Sequence, residues 1–203
     1  MSGLRELKKE RTRQLLSEVA IGLFLEKGFE SVSVAEIAAA AEVSKPTLFR
    51  YFPAKEDLAL HRFADHEDEP ARVVNAALAD GVPPLTALRD HVLAGLERRD
   101  PVTGLNDDPR ILAFLRLLYG TPALVARMAA YQSRSEELLA AALGGPDPLA
   151  ARLAAAQIVA VQRVLAHENV RRIMAGERAA ARLPGAVAAA REAFRGLERG
   201  LPC

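Results

Sequence analysis

The 203-residue chain has one cysteine, Cys203, at its last position. No intrachain disulfide and no thiolate metal cluster can be assembled from it, so a reducing compartment is expected, the cytoplasm. An apolar leader is missing too: Met1-Ser2-Gly3-Leu4 runs directly into charged residues, and nowhere do eighteen uncharged apolar residues stand in a row. Export and membrane spanning are therefore not expected. Neither charge sign is in excess, since 27 Lys and Arg oppose 26 Asp and Glu for a net charge of +1. The chain as a whole would not be drawn to a polyanion, and any nucleic-acid contact must be local. Catalytic signatures are also lacking. There is no G-x-S-x-G, P-loop, H-E-x-x-H or G-x-G-x-x-G, and Gly144-Gly145-Pro146 is followed by no lysine to hold a phosphate. The expectation is a protein that is not an enzyme and uses no cofactor and no metal.

Strand-like alternation of β-branched and polar residues is absent as well, which leaves an all-α chain rich in alanine, leucine, arginine and glutamate at helical spacing. Half of the residues are hydrophobic, enough for a full core. A first helix over 7–27 carries Leu16, Val19, Ala20, Leu23 and Phe24 on one stripe and ends at Gly28. Ser33 and Glu36 form an S-x-x-E capping box before a short second helix with Val34, Ile37, Ala38 and Ala41 on one face. Ser44 caps a third helix, with Pro46 in its first turn, where a missing N–H costs nothing. Lys55-Glu56-Asp57 opens a fourth, with Leu58, Leu60 and Phe63 as its apolar contacts, and the stretch from Asp65 to Pro70 is expected to break it. Later breaks are predicted at Gly81–Pro84, Asp100-Pro101, Thr121-Pro122 and Gly144–Pro148. A link at Arg182-Leu183-Pro184-Gly185 is predicted to join helices over 148–175 and 184–199 as antiparallel neighbours.

Two short helices separated by Glu42-Val43-Ser44 and braced by a longer one make a helix-turn-helix. On the helix from Lys45 to Phe52, Leu48 and Phe52 face Ile37 and Ala41, while Lys45, Pro46, Phe49 and Arg50 point away. Lys45 and Arg50 can donate to guanine O6 and N7, and the rings of Pro46 and Phe49 can pack on thymine methyls. Thr47, Tyr51 and Lys55 suit phosphates, Lys55 with the help of the amide end of the fourth helix. With the capping serines Ser33 and Ser44, these are the expected DNA-contact residues. Residues 1–13 add Arg5, Lys8, Lys9, Arg11 and Arg13 against Glu6 and Glu10, for which a solvated helix start is the plainer reading.

The stretch from Arg11 to Leu58, above all Gly28–Ala38 and Val43–Leu58, closely resembles the N-terminal domain of the tetracycline-repressor (TetR) family. The resemblance covers about a quarter of the chain. It implies a helix-turn-helix domain over 1–57 and a helical effector-binding and dimerisation domain over 58–203. It implies a homodimer joined through its last two helices, bound to a double-stranded, palindromic operator and released by a small-molecule effector. Three positions depart from the family pattern. Glu42 stands at the usual glycine, Phe49 at the commoner tyrosine, and Ala54 at the serine that caps the fourth helix. The alternative is a helical protein-interaction module that does not use DNA.

Polar and aromatic groups among the later apolar helices, His91, Arg116, Tyr119, Tyr131, Gln132 and Gln157, are the candidates for an effector pocket. Leu153, Ala156, Val159, Ala160 and Leu165, with Val187, Ala190, Phe194 and Leu197, are the candidate dimer stripes. His61 and His66 flank Asp65, but five residues apart on a helix they diverge by about 140°, which disfavours a shared metal.

Overall fold

A computed structural model describes the backbone of residues 2–64 and 66–200 and the side chains of residues 7–61 and 66–200. Asp65 and Cys203, and the side chains of Arg5 and Phe63, lie outside the described residues. Among these residues there are ten α-helices and no strand: α1 (Ser2–Lys27), α2 (Val34–Ala40), α3 (Lys45–Tyr51), α4 (Lys55–Ala64), α5 (Glu69–Ala79), α6 (Pro84–Arg98), α7 (Pro109–Gly120), α8 (Pro122–Leu143), α9 (Pro148–Met174) and α10 (Ala179–Arg199). A short 3₁₀ turn, Pro101–Thr103, lies between α6 and α7.

The helices form two compact units. The first comprises Met1–Asp65 with Ala113–Ala130, and the second His66–Leu112 with Tyr131–Cys203. The boundary expected at 57/58 falls inside α4, and a later segment joins the first unit.

In the first unit Leu16, Ala20 and Phe24 of α1 recur at helical spacing and are buried with Phe29, Val32, Ile37, Leu48 and Leu58. α1 and α4 run antiparallel. Phe24 lies beneath Lys55, the buried Ser17 hydroxyl donates to the Leu58 carbonyl at 2.8 Å, and Glu10 meets His61 at 3.3 Å. His61 also presents its ring edge-on to Phe52, with centroids 5.4 Å apart.

The second unit has two apolar clusters. One gathers Val74, Leu88, Leu139, Ile158 and Phe194, and the other Leu93, Leu96, Leu105, Ile173, Ala186 and Ala190. The turn before α7 is locked onto α9. Buried Asn169 donates to the Thr103 carbonyl at 3.0 Å, and Gly104 (φ +69°) sits so close to α9 that a Cβ would overlap the Ala166 carbonyl.

The break predicted from Asp65 falls there, between α4 and α5, whereas the predicted link at 182–185 moves. Pro70 lies in the first turn of α5 and starts that helix, for the N–H it lacks is one that no helix start uses. The link between the last two helices is at Gly176–Arg178, and Pro184 lies inside α10. Gly176 adopts φ +95°, and Glu177 N–H closes back on the Arg172 carbonyl at 3.1 Å, which ends α9. The Asp107 carboxylate then accepts the Ala179 N–H at 3.0 Å and starts α10. Pro184 is accommodated because it and Ala180, whose carbonyl loses its helical partner, are exposed to water.

α9 is long and apolar enough, by length and composition, to cross a membrane, although Arg152 and Arg163 interrupt it. Its apolar surface is only partly used within the chain.

Candidate nucleic-acid interface

The helix-turn-helix is fixed by caps at each start. The Ser33 hydroxyl accepts the Glu36 N–H at 3.1 Å, and the Ser44 hydroxyl accepts the Thr47 N–H at 3.2 Å. Glu36 closes the expected box, its carboxylate also accepting from the Ser33 backbone N–H. Its carboxylate pairs with Lys27 at 2.6 Å, which holds its pKa below and that of Lys27 above the ordinary values, chiefly through that hydrogen bond. The bond ties the end of α1 to the start of α2.

The turn is a Schellman closure of α2. Val43 N–H reaches the Ala38 carbonyl at 2.9 Å and Glu42 N–H the Ala39 carbonyl at 3.1 Å, which forces Glu42 to φ +54°. Glu42, at the usual glycine of the family pattern, therefore carries a positive φ that glycine adopts at no steric cost.

α3 divides by face. Leu48 is wholly buried against the domain and Phe52, its C-cap, is 4 % exposed. Lys45, Pro46, Phe49 and Arg50 are exposed, Phe49 by 42 %. An exposed phenylalanine between two exposed cations on a seven-residue helix is not used by the fold, and its ring is free to meet an apolar group outside. Thr47 is half-buried and its hydroxyl shares a 2.8 Å hydrogen bond with Ser44, which orders both side chains. The Arg50 guanidinium lies 5.6 Å from the centroid of the half-buried Tyr51 ring.

Lys55, at the start of α4, lies 4.2 Å above the Phe29 ring and 5.7 Å from that of Phe24, the two rings being 4.9 Å apart. A cation resting on aromatic faces keeps its charge while losing freedom. At the start of α4 Asp57 folds back, and its Oδ2 accepts the N–H of Ala54, the residue before the helix, at 3.2 Å. The same carboxylate receives a two-pronged bond from Arg127 of α8, Nε to Oδ1 at 2.7 Å and Nη2 to Oδ2 at 3.1 Å. No signal in the sequence pointed to this pair, whose members are 70 residues apart.

The effector candidates do not form one set. Arg116 and Tyr119 belong to α7 in the first unit, whereas His91, Tyr131, Gln132 and Gln157 belong to the second. Arg116 and Gln157 face solvent, and Gln157 shares the outer face of α9 with Leu153. Tyr119 is largely enclosed, and burial pushes its hydroxyl pKa up. His91 and His66 both bond to Glu69, through Nε2 at 3.3 Å and Nδ1 at 3.0 Å. No group of three metal-ligating side chains converges among the described residues.

The dimer candidates are also redistributed. Val159, Ala190 and Phe194 are buried inside their own protomer, while Leu149, Leu153 and Val164 of α9 are 60, 54 and 56 % exposed.

Residues 16–61 match the family model of bacterial regulatory proteins, tetR family. The HTH-type transcriptional regulator TcmR of Streptomyces glaucescens is 37% identical over 137 residues, covering 67% of this chain and 59% of that protein. The chain thus spans about three fifths of this relative. NalD, the secondary repressor of the MexAB-OprM multidrug efflux pump in Pseudomonas aeruginosa, superposes with a TM-score of 0.59 at 21% identity over 93% of this chain and 96% of that one. FadR of Bacillus subtilis, solved in complex with stearoyl-CoA, gives a TM-score of 0.53 at 16% identity over 93% of this chain and 99% of that one. These two likenesses bear on the fold.

Proposed function

We propose that this chain, which belongs to the TetR family of bacterial regulatory proteins, is a transcriptional regulator that binds a palindromic operator as a homodimer and, as a repressor, leaves it when a small molecule binds. One observation carries this reading: α3 buries Leu48 and turns Lys45, Pro46, Phe49 and Arg50 outward together. Laid in a major groove, the two cations meet guanine acceptors and the two rings meet thymine methyls. The ordered Thr47 and Ser44 hydroxyls, Tyr51, and Lys55 at the start of α4 contact phosphates and set the register, with Ser33 beside them at the start of α2.

A palindrome requires two reading helices about 34 Å apart, one DNA turn. The second copy attaches through the last two helices, chiefly along the exposed α9 face of Leu149, Leu153 and Val164, which an isolated protomer would leave in water. The effector enters the second unit, where half-buried His91, Tyr131 and Gln132 supply polar groups on otherwise apolar helices. It releases DNA only to the extent that it favours a conformer in which the two reading helices no longer fit the grooves, about 5- to 150-fold for typical couplings. Such a regulator works in the cytoplasm, where its operator is.

Selection of bound duplexes from a random pool, followed by titration of the selected site at several salt concentrations, tests the proposal. Log affinity is expected to fall by about 0.9 per log unit of salt for each phosphate contacted. Lys45→Ala and Arg50→Ala should relax base preference, whereas Lys55→Ala should weaken all duplexes alike. A pool that yields no enriched sequence, or a response flat in salt, would turn the assignment towards a protein-interaction module.

A further inference from the structure

We infer that Arg127 of α8 is a positioning residue for DNA binding: through Asp57 it fixes the first turn of α4, the turn that offers Lys55 and the helix amides to a phosphate. The inference rests on the DNA-reading function proposed above. Its starting point is the missing cap. With Ala54 where a serine hydroxyl would hold the helix start, α4 has no side-chain oxygen at its N-cap. The Asp57 carboxylate, at the third helical position, supplies the other half of a capping box, accepting the N–H of Ala54 itself at 3.2 Å rather than that of Lys55 or Glu56.

A short side chain reaching backwards holds that geometry only if it is itself held, and Arg127 holds it. Both carboxylate oxygens are engaged by the guanidinium fork, at 2.7 and 3.1 Å, with the Asp57 side chain only 7 % exposed. A planar, two-pronged pair fixes direction as well as distance. Lys55 is two residues before Asp57, so the same turn sets where its ammonium rests above Phe29. Arg127 itself is 43 % exposed, and its alkyl stem is not a core element. It stands 70 residues from Asp57 in sequence, on α8, which begins in the first unit and continues into the second. The position of α8 is therefore written into the orientation of the phosphate-binding end of α4.

The test is a double-mutant cycle on the duplex selected by the wild-type protein. Arg127→Ala should weaken binding roughly 10-fold, and the salt slope should fall by about 0.9 for each phosphate no longer engaged, about 1.8 for a two-fold dimer. Arg127→Lys, which keeps the charge without the fork, should recover part of the affinity. In a Lys55→Ala background, Arg127→Ala should add little, because both changes act on the same phosphate. Circular dichroism and the melting curve of each variant report whether the fold is kept, and Asp57→Asn provides a second variant that retains the Ala54 cap while losing the charge pair. If Arg127→Ala and Asp57→Asn keep the wild-type slope and affinity while melting earlier, or if the Lys55 and Arg127 effects add in full, the pair only stabilises the fold and the inference is overturned. A wild-type protein that selects no duplex overturns the DNA-reading function first, and this inference with it.

Discussion

At the scale of single residues, four helices end in the same Schellman closure and provide an internal comparison. α5 and α9 place Gly81 and Gly176 at the residue with positive φ, whereas α2 and α6 place Glu42 and Arg99 there, both at φ +54°. A side chain at that conformation is held against its preference by the surrounding hydrogen bonds. Glu42 is exposed, so the core is untouched when its side chain is removed. Glu42→Gly should raise stability by about 0.5–1 kcal/mol and leave operator choice unchanged. A melting curve shifted downward would show that the carboxylate does more than occupy the turn. The strain was legible through the resemblance, because the TetR family pattern has a glycine where Glu42 stands. The Asp57–Arg127 pair was not, since no local rule links residues 70 apart.

At the scale of elements, proline and glycine were read by their local grammar, which succeeded where helix and break coincide and failed where tertiary contacts decide. Pro83-Pro84 and Pro122 precede or open helices as their chemistry suggests. Pro184-Gly185 looked like a link, but Asp107 starts α10 five residues earlier by accepting the Ala179 N–H, and the helix runs through. Glu69 is bonded by His66 and His91, and those bonds, the one to His66 first, hold its carboxyl well below the usual carboxylate range. A depressed folded-state pKa contributes stability above the unfolded value, about 4.3, and that contribution is lost as pH falls through the folded value. Glu69→Gln should therefore melt a few °C below the wild type at pH 7, with the gap closing as the pH is lowered below about 5. Neighbouring Glu67 has the opposite sign. Burial pushes its pKa up, against partial relief from Arg134, so its charge costs stability at neutral pH. Glu67→Gln should gain at pH 7 and lose that gain in acid. Thermal melts of both variants from pH 7 to pH 3 distinguish the two, and parallel curves would mean that neither carboxyl is linked to folding.

At the scale of the whole molecule, the question is which apolar surface is left for another copy. Periodicity alone marked both α9 and α10, because a stripe that faces the protomer's own core has the same spacing as one that faces a partner. Burial separates them. Phe194 and Ala190 of α10 are closed inside the second unit, and the outward face of that helix carries Arg191, Glu192 and Arg195. On α9, Leu149, Leu153 and Val164 remain in water, with Ala156 and Ala160 between them small enough for a second helix to approach closely. Because Leu153 is 54 % exposed, a charge there costs the isolated protomer little and would be buried without a partner in a dimer. Leu153→Glu should leave the helix content and the melting of the monomer close to wild type while sedimentation shows dissociation. Affinity for the selected palindrome should fall by about 10²- to 10⁴-fold, as two linked half-site contacts become one, while affinity for a single half-site stays as it was. A Leu153→Glu protein that still sediments as a dimer would place the contact on another face and leave α9 without its partner.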